Sequence, residues 1–450
     1  MFHSTIAAIA TPAGTGGIGI VRISGAEAKS VADRAFAAKS GKKIKDQSGY
    51  TALFGNVVFG GEVIDEAVAL VFVAPKSYTG EDVVEISCHG GTAVVRKVLR
   101  AVLESGAQMA EPGEFTKRAY LNGKLDLASA ETVINVINAN SPRALRQANA
   151  ANKGLLFERI QDMRQRLLNL AAEIGAVADY PDEELDNADV STLPQRVELL
   201  GAELNRMIKD YDTGAMIRDG IDTAIVGRPN VGKSTLMNLL SGTERSIVTP
   251  IAGTTRDVIQ ETVMIGDIML KISDTAGIRD TGDEIEKIGV ELSIKKLESA
   301  QLVLAVFDMS CPLDEQDRDL LRLCHGKNTI VICNKSDLPA KMDMELLKEY
   351  ALPMVEISAA KGSGLSELCR QIEETTGIAG LSPDTAVLQN ERQLAGVKKA
   401  AECVAAAGEA TLDICGMMLQ DAANHLDQVA GAQMSADIAD EIFKNFCVGK

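Results

Sequence analysis

The sequence predicts three structural regions: a small N-terminal α+β domain, an α-helical domain, and an α/β domain inserted into the helical one. Between Ile6 and Ala110, short β-branched runs are separated by glycines, which favours strands joined by turns. Between Thr116 and Arg218, apolar residues recur every three or four positions, as in helices. Strand-like and helix-like stretches then alternate from Thr223 to Thr376, which indicates a mainly parallel sheet. Helical spacing returns from Thr385 to Phe446, so the α/β domain interrupts the helical one.

The points where the pattern changes predict the domain boundaries. We expect residues 1–118 to form the N-terminal domain, residues 119–217 and 380–450 the helical domain, and residues 218–379 the inserted domain. Insertion requires only that the two ends of the inserted domain lie close together at the surface. The expected hinges are the stretch Asp212–Gly220 and the Ser382-Pro383 break.

Composition limits the classes of function. The chain has 450 residues, 46% of them hydrophobic, and a net charge of −17 from 63 acidic and 46 basic side chains. This acidic balance argues against the chain alone binding nucleic acid electrostatically. No apolar run is long enough to span a membrane, and Met1–Ile9 lacks a signal-peptide pattern. The eight cysteines are scattered without a Cys-x-x-Cys pair, which favours a soluble cytoplasmic protein.

A phosphate-binding loop opens the inserted domain. Gly227–Ser234 reads G-R-P-N-V-G-K-S, which fits the pattern G-x-x-x-x-G-K-[ST]. It follows a predicted strand, Thr223–Val226, and precedes a predicted helix, Thr235–Leu240, and this context argues against a chance match. We expect Lys233 to reach the β- and γ-phosphates of a nucleotide and the Ser234 hydroxyl to bind Mg²⁺.

Three further motifs follow, each at the end of a predicted strand. Asp274-Thr275-Ala276-Gly277 places a carboxylate where the magnesium shell is held. Asn334-Lys335-Ser336-Asp337 predicts guanine specificity, because a carboxylate accepts two N–H bonds that adenine cannot offer. Ser358-Ala359-Ala360-Lys361 lies where the last guanine-contacting loop belongs. Four motifs in this order predict an α/β P-loop G domain that binds and hydrolyses GTP.

The loop Gly253–Asp257 lies between the P-loop and Asp274, where a switch I loop belongs. Thr255 is the candidate hydroxyl that completes Mg²⁺ coordination, and the alternative is a polar hairpin loop. Ile278 follows the Asp274–Gly277 motif, where Ras-like enzymes place a water-orienting glutamine. Hydrolysis must therefore use another polar group, and composition does not choose among Asp280, Asp283, Glu284 and Glu286.

These motifs, together with segments outside the G domain, resemble the MnmE (TrmE) family of tRNA-modification GTPases. Besides Asn230, Gly253–Asp257 and Ile278, the similarity includes segments near both termini: Ala10–Pro12, Gly16–Gly25, Tyr78–Asp82, Pro112–Ala119, Leu121–Asp126, Asp179–Glu184 and Phe446–Lys450. It spans the whole chain and is weakest over residues 39–49 and 379–431. A G domain of another family would not carry these segments.

The resemblance implies an activity, cofactors and partners. The family works with the flavoprotein MnmG (GidA), which carries the FAD, to add a carboxymethylaminomethyl-type group at carbon 5 of the tRNA wobble uridine. The N-terminal α+β domain is implied to form a homodimer and to bind 5-formyltetrahydrofolate or a related tetrahydrofolate. The G domain is implied to be activated by K⁺ and by dimerisation, and a fixed cation beside the phosphates would stabilise developing negative charge.

The implied and motif-derived site residues fall into four groups. The GTP contacts are Asn230, Val231, Gly232, Lys233, Ser234, Thr235, Thr249, Thr254, Thr255, Asp274, Thr275, Ala276, Gly277, Asn334, Lys335, Asp337, Ser358, Ala359 and Ala360. The metal ligands are Ser234 and Thr255 for Mg²⁺, and Asn230, Thr249, Ile251 and Thr254 for K⁺. The folate contacts are Arg22, Glu85, Lys124 and Lys450. The catalytic candidates are Glu286, which would orient the attacking water, and Cys447, a thiol near the implied folate pocket.

Each carried-over residue has an ordinary structural alternative. The Asn230 side chain could shape the P-loop through a bond to the backbone. Arg22, Glu85 and Lys124 could be solvated surface charges. No neighbouring histidine supports Cys447 as a nucleophile, and the terminal Val448-Gly449-Lys450 does not fit a prenylation signal.

Two other functions compete with a tRNA-modification GTPase. A regulatory G protein of ribosome assembly would be expected to carry a basic RNA-binding module, which the acidic balance disfavours. A scaffold with a degenerate nucleotide site is difficult to reconcile with four intact motifs. Folate binding would separate the first function from both others.

Overall fold

The computed structural model describes residues 4–179, 192–242, 260–273, 297, 299–382, 384–431, 443–444, 446 and 449. By residue contacts the chain divides into two compact units. The first comprises Met1–Ile134, Asn152–Ala172 and Leu419–Lys450, and the second comprises Asn135–Ala151 and Glu173–Met418. The expected division into three domains therefore stays a prediction, since the helical residues are shared between these two units.

The first unit contains a seven-stranded sheet with the strand order β3-β4-β5-β6-β2-β1-β7. Its strands are β1 (Ile6–Ile9), β2 (Ile18–Ser24), β3 (Phe36–Ala38), β4 (Thr51–Phe59), β5 (Glu62–Phe72), β6 (Val83–His89) and β7 (Gln108–Met109). All described pairings are antiparallel except that of β1 with β7. The predicted α+β character of this region is confirmed.

The two faces of this sheet have different roles. Residues at alternate positions, such as Val21 and Ile23 on β2 and Ile86 on β6, are fully buried beneath helices α1 (Ala28–Ala35) and α2 (Thr92–Glu104). Because side chains alternate along a strand, the positions between them face the other way. Arg22 and Glu85 occupy such positions and stand opposite each other in the β2–β6 register.

Helices follow the first sheet, and their bounds are α3 (Glu114–Leu121), α4 (Leu127–Asn138), α5 (Pro142–Asn152), α6 (Leu155–Asp179) and α7 (Leu193–Asp219). The stretch Asp212–Gly220, expected to be a hinge, is helical as far as Asp219, and only Gly220 separates α7 from the next strand; its role as a hinge stays a prediction. The buried positions of α7 continue at helical spacing through Tyr211, Gly214 and Ile217. Packing of this face stabilises the helix to its end.

The second unit contains a six-stranded sheet with the order β13-β12-β11-β8-β10-β9. Its strands are β8 (Ile221–Val226), β9 (Gln260–Ile265), β10 (Ile268–Ser273), β11 (Leu302–Asp308), β12 (Thr329–Asn334) and β13 (Met354–Ile357). All are parallel except β9, which pairs antiparallel with β10. In the described ranges, helices α8 (Lys233–Gly242), α9 (Glu315–Leu323) and α10 (Met344–Lys348) lie between these strands, and α11 (Leu365–Thr375) follows β13. Strands β11 and β12 are almost entirely buried, as expected for a sheet covered on both faces.

The chain returns to helices after the second sheet. Residues 384–390 are not helical, so the expected helical start at Thr385 is too early; α12 (Glu391–Glu409) begins where Asn390 accepts a hydrogen bond from the Gln393 amide at 2.9 Å. Helix α13 (Leu412–Ala430) follows. In the described part of the chain, none of the helices has both the length and the hydropathy needed to cross a bilayer.

A glycine in the second unit offers a test of this fold. Gly364 precedes α11 with a φ of +92°, and a Cβ there would lie 2.4 Å from the Glu356 carbonyl oxygen. We expect Gly364→Ala to lower the free energy of unfolding by about 1–3 kcal/mol, because the backbone strain and the contact add. Gly380→Ala is the matched control, since its Cβ would meet nothing within 4 Å. Thermal denaturation of both variants measures the difference, and equal midpoints would contradict the described backbone at Gly364.

Candidate functional site

The predicted nucleotide motifs lie at one edge of the six-stranded sheet. Strands β8, β11, β12 and β13 are parallel, so their carboxyl ends meet at the same edge. The P-loop follows β8, and β8 lies between β10 and β11, where successive connections leave in opposite directions. Ligands of open α/β sheets bind at such a point. The fold therefore brings the described motifs together.

The P-loop connects β8 to α8. The Lys233 Nζ donates hydrogen bonds to the carbonyl oxygens of Gly227 at 2.6 Å and Arg228 at 2.7 Å. Burial lowers the pKa of Lys233, because the ammonium has lost part of its hydration. A phosphate beside this ammonium would restore favourable interactions for the charge. Gly232, with a φ of +102°, lies where a Cβ would be 2.2 Å from the Asn334 Nδ2, so the loop requires glycine there.

The residues expected to bind cations present free polar groups. Ser234 and Thr235 are exposed in the first turn of α8, and among the described residues no group hydrogen-bonds the Ser234 hydroxyl. Asn230 is exposed, and within the same part of the chain its side chain has no backbone partner. The alternative role for Asn230, shaping the loop through its side chain, is therefore not observed there. Hydroxyl and amide oxygens at a helix N-terminus suit a cation that bridges to phosphate.

Asn334 joins the P-loop to the loop after β13. Its side chain is 2% exposed; Nδ2 donates to the Val231 carbonyl at 2.8 Å, and Oδ1 accepts from the Ala359 amide at 3.0 Å. The Val231 side chain is itself part of the hydrophobic core, so only the backbone of Val231 can face a ligand. Asn334 is thus buried between the two loops, and its predicted contact with the nucleotide stays a prediction.

Lys335, in the loop after β12, joins the P-loop to the end of β11. Its Nζ donates to the Asn230 carbonyl at 3.0 Å and to the Asp308 Oδ2 at 2.5 Å. Burial alone would raise the pKa of Asp308, but hydrogen bonds from Lys335 and Ser310 outweigh it and hold the pKa below its usual value. Asp308 was not among the predicted residues. Its position at the end of β11, between two strands that carry motifs, is the signal that identifies it.

Asp337 and Ser358 are paired within the predicted base-binding site. The Ser358 hydroxyl donates to the Asp337 Oδ1 at 2.6 Å, and this hydrogen bond lowers the pKa of Asp337. The carboxylate is therefore ionised at neutral pH and oriented by Ser358. An ionised, oriented carboxylate is the acceptor that the two guanine N–H groups require. Ala360 is exposed in the same loop.

Part of the predicted site lies outside the described residues. The predicted residues that the structure does not describe are the GTP, metal and catalytic candidates Thr249, Ile251, Thr254, Thr255, Asp274, Thr275, Ala276, Gly277, Glu286 and Cys447, and the folate candidate Lys450. Their roles stay predictions.

The predicted folate residues lie in the first unit. The Arg22 Nε donates to the Glu85 Oε1 at 2.8 Å, and the Arg22 Nη1 donates to the Gly449 carbonyl at 3.2 Å. The guanidinium also lies 5.6 Å from the ring centroids of Tyr78 and Phe115. Arg22 and Glu85 are only 15% and 18% exposed, so they are not ordinary surface charges. The structure brings these two predicted residues together with two aromatic rings that were not predicted.

Lys124 lies between α3 and α4, and its described hydrogen bond does not join it to this pair. Its Nζ donates to the Pro75 carbonyl at 3.1 Å, and its stem lies beside Gly80. Nearby, the fully buried Arg118 contacts Glu114 at 2.8 Å and Glu81 at 3.2 Å. Both carboxylates belong to motifs noted in the sequence, and their pairing explains how a buried arginine is stabilised. Arg118 therefore holds the Glu81 end of the loop that carries Tyr78.

Comparison with protein families agrees with this geometry. Residues 5–124 match the family described as the GTP-binding protein TrmE N-terminus. Residues 127–447 match the family described as the MnmE helical domain. Together the two matches include both compact units and nearly all of the chain.

Full-length relatives extend the comparison. The chain is 40% identical to the tRNA modification GTPase MnmE of Clostridioides difficile over 99% of each chain. It is 42% identical to the protein of that name from Geobacter sulfurreducens, over 100% of this chain and 99% of the relative. Among solved structures, Aquifex aeolicus Era bound to GDP·AlF₄⁻ is 31% identical over 41% of this chain and 66% of its own, with a TM-score of 0.28. The family assignment rests on the family models and the full-length relatives.

Guanine specificity should depend on Asp337. We expect Asp337→Asn to weaken GTP binding by about tenfold or more and to favour XTP, because the amide matches the hydrogen-bonding edge of xanthine better than that of guanine. Competition binding with GTP and XTP measures this change. Because the same variant is tested with both nucleotides, a loss of folded protein would affect both equally. An unchanged preference for GTP would contradict the role of Asp337.

Proposed function

The chain belongs to the MnmE family of tRNA modification GTPases, and from this premise we propose which reaction its GTPase activity serves. The proposed function is K⁺-activated GTP hydrolysis that supports modification of carbon 5 of the tRNA wobble uridine. The added group is of the carboxymethylaminomethyl type, and its one-carbon unit comes from a tetrahydrofolate. A flavoprotein partner, MnmG, supplies the FAD. The observation that carries the proposal is that one chain of this family contains both the Lys233–Asp337 motif cluster and the Arg22–Glu85 pair.

In the proposed mechanism, the base and the phosphates of GTP are held by different strand ends. Asp337, oriented by Ser358, accepts the guanine N–H groups, and Lys233 binds the phosphates. Ser234 and Thr255 would hold Mg²⁺, which would neutralise charge on the phosphates. Asn334 and Lys335 keep the two halves of the site at a fixed distance through the Val231 and Asn230 carbonyls. This arrangement supports a site that is formed before the ligand arrives.

Hydrolysis is proposed to use Glu286 to orient the attacking water. Ile278 occupies the place of the usual glutamine and has no group that can hydrogen-bond water. A positioned general base or orienting group contributes roughly 10² to 10⁴ in rate. Asp274–Gly277 would hold the magnesium shell beside it. These assignments are supported by the family resemblance.

The K⁺ proposal is supported by the position of Asn230. This residue is exposed in the P-loop, its carbonyl is already held by Lys335, and its side chain makes no hydrogen bond to the described residues. The side-chain oxygen is therefore available to a cation beside the phosphates. Thr249, Ile251 and Thr254 would supply the remaining oxygens. K⁺, when bound there, would stabilise negative charge that develops between the phosphates.

The folate proposal is supported by the chemistry of the Arg22 cluster. A guanidinium with a paired carboxylate, Glu85, offers both donors and an acceptor to a heterocyclic ring. The partly exposed Tyr78 ring adds flat apolar surface, whereas Phe115 is fully buried and packs against the guanidinium from the core. Lys124 and Lys450 would attract the carboxylates of a folate tail. A chemical role for Cys447 has no further support and stays a proposal.

The proposed partners are supported by charge and by an exposed apolar pair. Phe54 and Val68 face each other across β4 and β5 on the sheet side opposite α1 and α2, and they are 54% and 36% exposed. An exposed cross-strand apolar pair supports a homodimer contact on this sheet. The net charge of −17 supports a basic partner that holds the tRNA, which we propose to be MnmG. We also infer that the protein acts in the cytoplasm, where tRNA is modified.

The proposed function predicts the modification state of the wobble uridine. In cells without this gene, we expect loss of the carbon-5 aminomethyl-type nucleoside, with recovery when the wild-type gene is returned. Lys233→Ala and Arg22→Ala should fail to restore it, because one lacks the phosphate contact and the other the folate cluster. Arg34→Ala is the control, since this exposed arginine on α1 contacts only the Ser105 carbonyl among the bonds described for it. Mass spectrometry of digested tRNA gives the readout, and an unchanged nucleoside profile in the deletion would contradict the proposal.

Potassium dependence provides a separate prediction. GTP hydrolysis should be faster in KCl than in NaCl, on the order of tenfold, because Na⁺ is too small for a cage of several neutral oxygens. Asn230→Ala should remove the response to K⁺ while leaving Mg²⁺-dependent nucleotide binding largely intact. Asn238→Ala, which changes an exposed asparagine on α8, should respond as the wild type does. Both salts are compared at one ionic strength so that screening is constant. Equal rates in the two salts would show that no K⁺ site operates.

A further inference from the structure

The second residue of the P-loop is held by an ion pair that no nucleotide motif explains. The Arg228 guanidinium contacts two carboxylates at the start of α9: Nη1 is hydrogen-bonded to the Asp314 Oδ2, and Nε lies 2.8 Å from the Asp317 Oδ1. Asp314 is the N-cap of α9. The two aspartates also form a capping box, in which each side chain accepts the other's backbone N–H. The start of α9 follows β11 in the chain and is also held to the P-loop by this ion pair.

The contact of Arg228 with Asp317 is largely buried, which is unusual for charged side chains. Asp317 is 1% exposed and Arg228 is 25% exposed. The Arg228 Nε and Asp317 Oδ1 have no aligned hydrogen-bond partner, so their contact is mainly coulombic and depends on Asp317 being ionised. Removing one member of a buried pair leaves the other charged group without compensation, which is strongly unfavourable. The pair thus resists any displacement of Arg228 from α9.

The backbone of Arg228 transmits this constraint to the phosphate-binding lysine. The Arg228 and Gly227 carbonyls are the two groups that hold the Lys233 ammonium. Pro229 follows Arg228 and restricts its own φ and the backbone conformations open to the residue before it. A guanidinium fixed by α9 therefore limits where the Arg228 carbonyl can point. A loose Arg228 would let that carbonyl, and with it Lys233, take several positions.

We propose that Asp317, together with Asp314, is a positioning residue of the nucleotide site, which acts through Arg228 to hold Lys233 in place for the phosphates. Asp317 does not touch the nucleotide in this arrangement. Its effect on binding passes through the Arg228 backbone. The inference rests on the proposed assignment of Lys233 to the phosphates, and it adds the β11–α9 connection to the elements that determine nucleotide affinity.

The experiment is titration of the full-length protein with a fluorescent GDP analogue, which gives both the dissociation constant and the number of sites filled. The variants are Asp317→Asn, Arg228→Ala, Arg228→Lys and the double variant Arg228→Ala/Asp317→Asn. Asp319→Asn is the matched control, because it changes an exposed aspartate on the same helix that pairs only with Arg322 in the described structure. Lys233→Ala tests the phosphate assignment by itself.

We expect Asp317→Asn and Arg228→Ala each to raise the dissociation constant by about tenfold, as the loss of one partner of a largely buried pair would. The double variant should be no weaker than either single variant, because the two residues act as one unit. Arg228→Lys should lie between wild type and Arg228→Ala, since an ammonium cannot contact both aspartates in the geometry of a guanidinium. Asp319→Asn should bind as the wild type does.

The two measured quantities separate positioning from folding. A variant that had only lost folded protein would fill fewer sites with an unchanged dissociation constant, and that result for Asp317→Asn would overturn the proposal. Additive losses in the double variant would overturn it as well. If Lys233→Ala weakens binding while Asp317→Asn does not, the positioning role of Asp317 is wrong and the phosphate assignment stands. If Lys233→Ala has no effect, the phosphate assignment fails, and the positioning role of Asp317 fails with it.

Discussion

The buried side chain of Asn334 constrains the whole nucleotide site. A side-chain amide without water must have its donors and acceptors satisfied within the protein, because a buried unpaired polar group costs about 1–3 kcal/mol. Here the Val231 carbonyl and the Ala359 amide meet that requirement, and they belong to the P-loop and to the base-binding loop. Neither loop can shift without breaking one of these bonds. The distance between the P-loop and the loop after β13 is therefore constrained by a side chain that bonds to both.

Much of this arrangement could be predicted from local sequence, and the rest could not for physical reasons. The P-loop and the Asn334–Asp337 motif were recognisable because each combines fixed spacing with a strand before it, and the six-stranded sheet has strands at these places. Asp308 and Asp317 carry no such spacing. Lys335, the partner of Asp308, lies 27 positions along the chain. Arg228 lies 86 positions from Asp314 and 89 from Asp317, so only the fold brings these pairs together.

The Arg22 cluster shows the same limit in the first unit. The family resemblance indicated Arg22 and Glu85, and alternation along β2 and β6 explains why they share a face. The Tyr78 and Phe115 rings are contributed by a loop and by α3, whose approach to the sheet no periodicity records. In both units a cationic side chain, Arg22 or Lys233, is held by carboxylate or carbonyl oxygens that the fold supplies. Each side chain is thereby oriented without a ligand, which lowers the conformational entropy that ligand binding would cost.

The junction where the inserted domain begins and ends was expected to bend, and its contacts oppose bending. The Arg218 Nη1 donates to the Gln389 carbonyl at 2.8 Å, and Gly214 on α7 allows close approach of the Val387 side chain. At the other end, the buried Arg143 of α5 donates to the Ile378 and Leu381 carbonyls at 2.6 and 2.8 Å. Rotating the second sheet against α5 and α7 would break these hydrogen bonds and expose their buried donors. The adjoining helices α5 and α7 are therefore fixed to the segments that flank the inserted domain by hydrogen bonds as well as by chain connectivity.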